Sequence, residues 1–122
     1  MRNMFAAGMI GLMVGLTAGA AQAQPPGVTE RDGAWIAPDG KPLYTFSRDM
    51  NGVSACIERC AANWPPLAAP PEAVADGDWS PIARPDGSKQ WAYKGKPLYT
   101  YARDAANEAP SGVSSAWPLA VR

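Results

Sequence analysis

The sequence predicts a mainly β fold in which two pseudo-equivalent hairpin repeats form one small domain, with one short helix near a disulfide. Three observations support this prediction. The hexapeptide Gly-Lys-Pro-Leu-Tyr-Thr occurs at both 40–45 and 95–100. Short apolar runs alternate with turns rich in Pro, Asp and Gly, a pattern typical of hairpins. The only two cysteines, Cys56 and Cys60, lie in the one window with helical character that lacks Pro and Gly.

The first 23 residues have the pattern of a cleaved export signal. Arg2 precedes the uncharged apolar run 4–21, and Ala21-Gln22-Ala23 matches the small-residue site of signal peptidase. Cleavage there would leave one domain at 24–122. Because no cysteine near this site can accept a lipid, we predict a periplasmic or secreted protein without a stable membrane anchor.

Charge and composition exclude several function classes. The chain has 11 Lys+Arg and 11 Asp+Glu without a block of like charge, so no nucleic-acid partner is indicated. It has no His, which excludes a Ser-His-Asp triad, a His-type zinc site and c-type haem attachment. We predict no cofactor and no metal, and the sequence does not indicate a partner. No nucleophile-plus-base pattern supports catalysis.

The first repeat, about 28–68, has the local pattern of a hairpin. Residues 34–37 form a short apolar run, Pro38-Asp39-Gly40 has turn chemistry, and residues 43–46 alternate in polarity. The repeat closes with Trp64-Pro65-Pro66-Leu67-Ala68.

The second repeat, about 79–120, shows the same pattern with one more strand. We predict strands at 79–83, 90–93 and 98–101, and the closing segment recurs as Trp117-Pro118-Leu119-Ala120. Residues 69–78 are rich in Pro, Ala and Asp and are predicted to be a linker.

A short helix is expected between residues 54 and 63, with Ser54 as its N-cap and Glu58 in its first turns. In an oxidising compartment Cys56 and Cys60 are expected to form a disulfide. Closing so short a loop contributes only about 2 kcal/mol. A redox-active pair is the alternative, but three residues separate the cysteines instead of the two of thioredoxin-like motifs.

The aromatic residues allow two interpretations. The chain has five Trp and four Tyr, and such large side chains usually supply the core of a small domain. In that case the equivalent Trp64 and Trp117 close the two halves. Alternatively, the aromatic rings line a groove for a sugar, a flat ring or a proline-rich peptide. Both interpretations are consistent with the sequence.

Four residues of the repeated motif are candidate binding residues: Tyr44, Asp49, Tyr99 and Asp104. In a structural interpretation each Asp caps backbone N–H groups just after a strand. In a functional interpretation the symmetry brings both Asp and both Tyr to one site, which would hold a cation or an acid–base pair. The segment 49–52 is only a weak match to a calcium loop.

The segments 44–49 and 99–104 both fit the pattern Tyr-x-(Phe/Trp/Tyr)-x-x-Asp. The chain thereby resembles the bacterial secreted-repeat family, whose members are described as predicted lipoproteins with this motif. The resemblance implies an exported two-repeat protein and brings no catalytic residue with it.

We therefore expect a small exported binding or interaction module with its ligand at the repeat interface, formed by the four motif residues with Trp64 and Trp117. A structural envelope protein without a small ligand is the first alternative. A carboxylate-dependent hydrolase, with Asp49 and Asp104 close together in a cleft, is the second.

Overall fold

The structure, a computed structural model, describes residues 24–122, and the predicted export signal lies outside the described residues. In this part of the chain no helix is long and apolar enough to cross a membrane. The elements are β1 (Thr29–Arg31), β2 (Ala34–Ile36), α1 (Arg59–Asn63), β3 (Ala68–Ala69), β4 (Trp79–Ala83), β5 (Lys89–Tyr93) and β6 (Lys96–Pro97). The prediction of a mainly β fold with two repeats and one short helix is confirmed.

The first repeat opens with an antiparallel hairpin of β1 and β2, in which Thr29 pairs with Ile36. Its turn residues Asp32 and Gly33 have φ of 53° and 82°, which suits the tight turns that follow the twist of a hairpin. Strand β2 covers residues 34–36 of the predicted run at 34–37, but its strand partner is β1. The sequence did not predict this partner, because all three residues of β1 are exposed and show no alternation of polar and apolar residues.

The predicted strand at 43–46 is wrong as a continuous strand. Tyr44 instead forms isolated bridges to Tyr99 and Leu119. Both partners lie in the second repeat, so the pairing depends on residues far along the chain. The start of the predicted pairing with the run 34–37 is nevertheless present, because Pro42 bridges to Ile36 and the N–H of Leu43 donates to the carbonyl of Trp35 at 3.1 Å.

The second repeat carries a sheet centred on β5. Strand β4 pairs along the whole of β5, with Trp79 opposite Tyr93 and Ala83 opposite Lys89. Strands β3 and β6 pair with the two ends of β5. Strand β4 matches its prediction, whereas the third strand lies at Lys96–Pro97, before the predicted 98–101. Strand β3 also includes Ala69, which the sequence assigned to the linker.

The predicted helix is shorter than expected, and Ser54 is not its N-cap. Helix α1 begins at Arg59, and Glu58 occupies the cap position with φ of 54° and no side-chain cap hydrogen bond. Ser54 Oγ is used elsewhere, since it lies 2.6 Å from the hydroxyl of Tyr99. The predicted disulfide is confirmed: Cys56 and Cys60 are bonded and join the loop before α1 to the helix.

Two apolar clusters fill the interior, and each takes residues from both repeats. The larger comprises Val28, Trp35, Ala37, Leu43, Leu67, Trp79, Tyr93, Leu98 and Ala120. The smaller comprises Tyr44, Cys56, Tyr99 and Trp117, with partly buried rings packed around it. Because each cluster is shared, the repeats form one folding unit.

Candidate functional site

The two repeats meet backbone to backbone at their motif tyrosines. The N–H of Tyr44 donates to the carbonyl of Tyr99 at 2.8 Å, and the N–H of Tyr99 donates to the carbonyl of Tyr44 at 3.0 Å. Both residues are completely buried. This reciprocal pair marks a pseudo-twofold axis at the centre of the domain.

Each motif tyrosine binds the motif aspartate of the other repeat. The hydroxyl of Tyr44 donates to Asp104 Oδ2 at 2.6 Å, and the hydroxyl of Tyr99 donates to Asp49 Oδ2 at 2.6 Å. The repeated motif thus forms two crossed Tyr–Asp pairs. We call these two pairs the Tyr–Asp clasps.

The remaining oxygen of each carboxylate is also bound inside the protein. Asp104 Oδ1 accepts from the N–H of Ser111 at 2.8 Å and from its hydroxyl at 2.6 Å. Asp49 Oδ1 accepts from the N–H of Ala55 at 2.6 Å. Both oxygens of each carboxylate therefore accept hydrogen bonds from donors of the protein itself.

No group of three or more His, Cys, Asp or Glu side chains within residues 24–122 is placed to hold a metal ion. The two motif aspartates also differ in exposure: Asp104 is 5% exposed, whereas Asp49 is half-buried. The structure thus places the four motif residues in two separate pairs of unequal burial.

Burial shifts the titration of the Tyr–Asp clasps. The pKa of Tyr44 is raised to about 12. Burial is the largest cause, and the hydrogen bond to Asp104 is the next. Burial and the bond to Asp49 likewise raise the pKa of Tyr99 to about 12. Burial also raises the pKa of Asp49, although the Ala55 N–H, the Tyr99 hydroxyl and the positive charge of Arg84 oppose the rise.

The tyrosine shifts predict a loss of stability at alkaline pH. An unfolded tyrosine ionises near pH 10, whereas Tyr44 and Tyr99 ionise at about 12 in the folded state. Their stabilising contribution is therefore complete below pH 10 and is lost as the pH rises toward 12. At pH 11 the loss is on the order of 1–2 kcal/mol for each tyrosine.

Urea unfolding at pH 9 and pH 11, followed by tryptophan fluorescence, measures this loss. The double variant Tyr44→Phe, Tyr99→Phe serves as the control, because it keeps every other titrating group. We expect its free energy of unfolding to fall by about 3 kcal/mol less than that of the parent between these pH values. Equal pH dependence in the two proteins would contradict the assignment.

A buried arginine, which the sequence analysis missed, joins one Tyr–Asp clasp to the disulfide loop. Arg84 is 8% exposed and donates to Gln90 Oε1 at 2.7 Å and to the carbonyl of Cys56 at 2.8 Å. It also donates to Ser54 Oγ at 3.1 Å, which in turn contacts the Tyr99 hydroxyl. No sequence pattern singles out this arginine, since it lies before an ordinary Pro-Asp-Gly turn.

Four rings stack in one column beside the tyrosines, and we call this the four-ring stack. Phe46 lies 4.1 Å from Trp117, Trp117 lies 3.9 Å from Trp64, and Trp64 lies 4.3 Å from Tyr101, measured between ring centroids. The rings alternate between the first and the second repeat. Gly112 packs so closely that an added Cβ would lie 2.7 Å from Trp64. The space around Trp64 and Trp117 is therefore filled by the protein itself.

A cavity lies away from the Tyr–Asp clasps, next to β3, β4 and β5. It has a volume of about 610 Å³, and its lining includes Pro25, Pro26, Val28, Pro38, Leu67, Pro70, Glu72, Val74, Asp76, Trp79 and Trp91. Trp91 is half-buried, whereas Trp79 is buried. We call this cavity the Trp79–Trp91 groove.

The described residues thus define a class of protein: a β domain of two repeats whose halves are interlocked by exchanged contacts. The sequence model of the Lipoprotein_15 family, described as a secreted repeat of unknown function, matches residues 28–68 and 80–120. The chain belongs to this family of secreted repeats, which confirms the resemblance seen in the motif. Comparison with curated proteins and with solved structures gives no significant match.

Proposed function

We propose that this protein is an exported binding module of the periplasm or the extracellular space, and that its motif residues hold the two repeats together. The burial of Tyr44, Tyr99 and Asp104 supports this division of roles. A ligand at the repeat interface would have to displace hydrogen bonds and stacked rings that the protein already forms. Ligand binding is therefore assigned to another surface.

The Trp79–Trp91 groove carries the binding proposal, and its occupant is an extended proline-rich peptide with a basic side chain. Its volume lies within the range usual for ligand sites. The half-buried Trp91 offers the aromatic face, and aromatic grooves bind proline-rich segments, which lose little conformational entropy on docking. The lining includes the acids Glu72 and Asp76 and no Lys or Arg, so a basic side chain is the complementary partner.

Isothermal titration calorimetry with a panel of proline-rich decapeptides tests this proposal. Each peptide is made in an arginine version and in a version with glutamate at the same positions. We expect saturable binding of at least one arginine peptide and none of its glutamate counterpart. Binding by both versions, or by neither across the panel, would overturn the proposed occupant.

A matched pair of charge reversals locates the site. Glu72→Lys changes an exposed acid of the groove, and Glu108→Lys changes an exposed acid outside it. We expect Glu72→Lys to weaken binding at least fivefold and Glu108→Lys to leave it unchanged. Equal weakening by both would place the peptide elsewhere, and a protein that binds nothing would favour the structural envelope role.

A further inference from the structure

The closing segment of the first repeat belongs to the sheet of the second repeat. The N–H of Leu67 donates to the carbonyl of Leu98 at 2.8 Å, and the carbonyl of Leu67 accepts from the N–H of Trp91 at 2.9 Å. Strand β3, which follows directly, pairs with the start of β5. The second repeat therefore has a complete sheet only when the tail of the first repeat is present.

The closing segment of the second repeat does the same for the first. The N–H of Ala120 donates to the carbonyl of Leu43 at 2.8 Å, and its carbonyl accepts from the N–H of Trp35 at 2.9 Å. Val121 then bridges to Ala34 in β2. Each repeat therefore contributes its closing segment to the strands of the other repeat, and equivalent positions in the two repeats make these contacts.

The side chains cross between the repeats in the same way. Each Tyr–Asp clasp takes its tyrosine from one repeat and its aspartate from the other. The four-ring stack alternates between the repeats ring by ring. An isolated repeat would keep an open sheet edge and would expose the apolar side chains that the other repeat covers, both of which are costly.

None of these exchanged contacts uses the segment 70–78 that connects the repeats. We propose that the two repeats are complementary binding units and that a second copy of this chain can supply the partner repeat. The first repeat of one copy is completed by the second repeat of the other, which gives a domain-swapped dimer. The same residues make the same contacts in the dimer as in the single chain, so only the connection changes.

Cutting the connection tests whether the contacts alone hold the repeats together. Residues 72–76 are replaced by a recognition site for a specific protease, and a Gly-Ser replacement of the same length serves as the uncut control. After cleavage we expect the two halves to elute together at the mass of the intact protein. Their melting temperature should rise with protein concentration. Halves that separate while the control stays folded would overturn the proposal.

Refolding tests whether the partner can be a second copy. The cleavable chain is unfolded in urea and refolded at about 1 µM and about 1 mM, and we expect a dimer only at the higher concentration, because association follows mass action. Cutting the connection should then convert the dimer into complexes of monomer mass. A dimer that persists after cutting would use another surface. Monomer alone at both concentrations would exclude domain swapping. Either result would refute the proposal.

Discussion

Replacing Asp104 with asparagine is expected to lower the free energy of unfolding at pH 7 by about 3 kcal/mol. The carboxylate accepts from the Tyr44 hydroxyl and from two donors of Ser111. An asparagine accepts through one oxygen only, so its NH₂ group faces donors that then have no acceptor. Asp104 and Tyr44 are buried, so water cannot replace the bond between them without opening the repeat interface, whereas the exposed Ser111 can turn to solvent.

Asp49→Asn is the matched control because it removes the equivalent charge from the other Tyr–Asp clasp. Asp49 is half-buried, and its second oxygen accepts from a single backbone N–H. We expect a loss of about 1 kcal/mol for this variant. Urea titrations of both variants at pH 7 give the comparison. A larger loss for Asp49→Asn than for Asp104→Asn would mean that burial does not decide the strength of the clasps.

A double-mutant cycle with Tyr44→Phe assigns the effect of Asp104→Asn to the hydrogen bond between these two residues. If Asp104 acts mainly through Tyr44, the two substitutions are not additive, and the coupling free energy is about 1–3 kcal/mol. Full additivity would shift the role of Asp104 to its contacts with Ser111. In both cases the carboxylate stabilises the fold, but only coupling makes it part of the repeat interface.

The sequence predicts those parts of the fold that depend on residues close together in the chain. Strand β4 and most of β5 follow from apolar runs on either side of a Pro-Asp-Gly turn, because such a hairpin depends only on neighbouring residues. The Cys56–Cys60 bond follows from spacing and compartment. The equivalence of Trp64 and Trp117 likewise follows from the repeat, since identical segments take equivalent places.

Pairing between the repeats was beyond prediction because it is non-local. The repeat shows that Tyr44 and Tyr99 are equivalent, yet it does not show that each binds the aspartate of the other motif. Residues 43–46 look like a strand, but most of their partners lie in the second repeat, at Tyr99 and in the closing segment 117–120. Arg84 was missed for a related reason: its partners Ser54, Cys56 and Gln90 come together only in the folded chain.

Replacing Trp117 with alanine is expected to lower the free energy of unfolding by about 4 kcal/mol, which is the usual cost of removing a large buried ring. Trp117 is 8% exposed and stacks between Phe46 and Trp64. Its edge also packs against Tyr99 at 5.1 Å. The deletion therefore opens a cavity at the point where both repeats meet, and denaturant unfolding at pH 7 measures the cost.

Circular dichroism separates loss of stacking from a general loss of stability. Two indoles with centroids 3.9 Å apart and planes 2° apart are close enough for their electronic transitions to couple. We expect a paired band in the far-ultraviolet spectrum that disappears in both Trp64→Ala and Trp117→Ala. Trp91→Ala is the control, because Trp91 lies outside the four-ring stack, and its spectrum should keep the band.

Trp64→Leu and Trp117→Leu, singly and together, then test whether the stack joins the repeats. Leucine keeps much of the apolar burial and removes the ring contact, which is worth about 0.5–1.5 kcal/mol beyond burial. Because each tryptophan comes from a different repeat, removal of one ring removes one of the two stacking contacts of the other. The double variant should therefore cost less than the sum of the two single variants by about that amount. Strict additivity would mean that each tryptophan stabilises only its own repeat. The four-ring stack would then form because the repeats associate and would not itself hold them together.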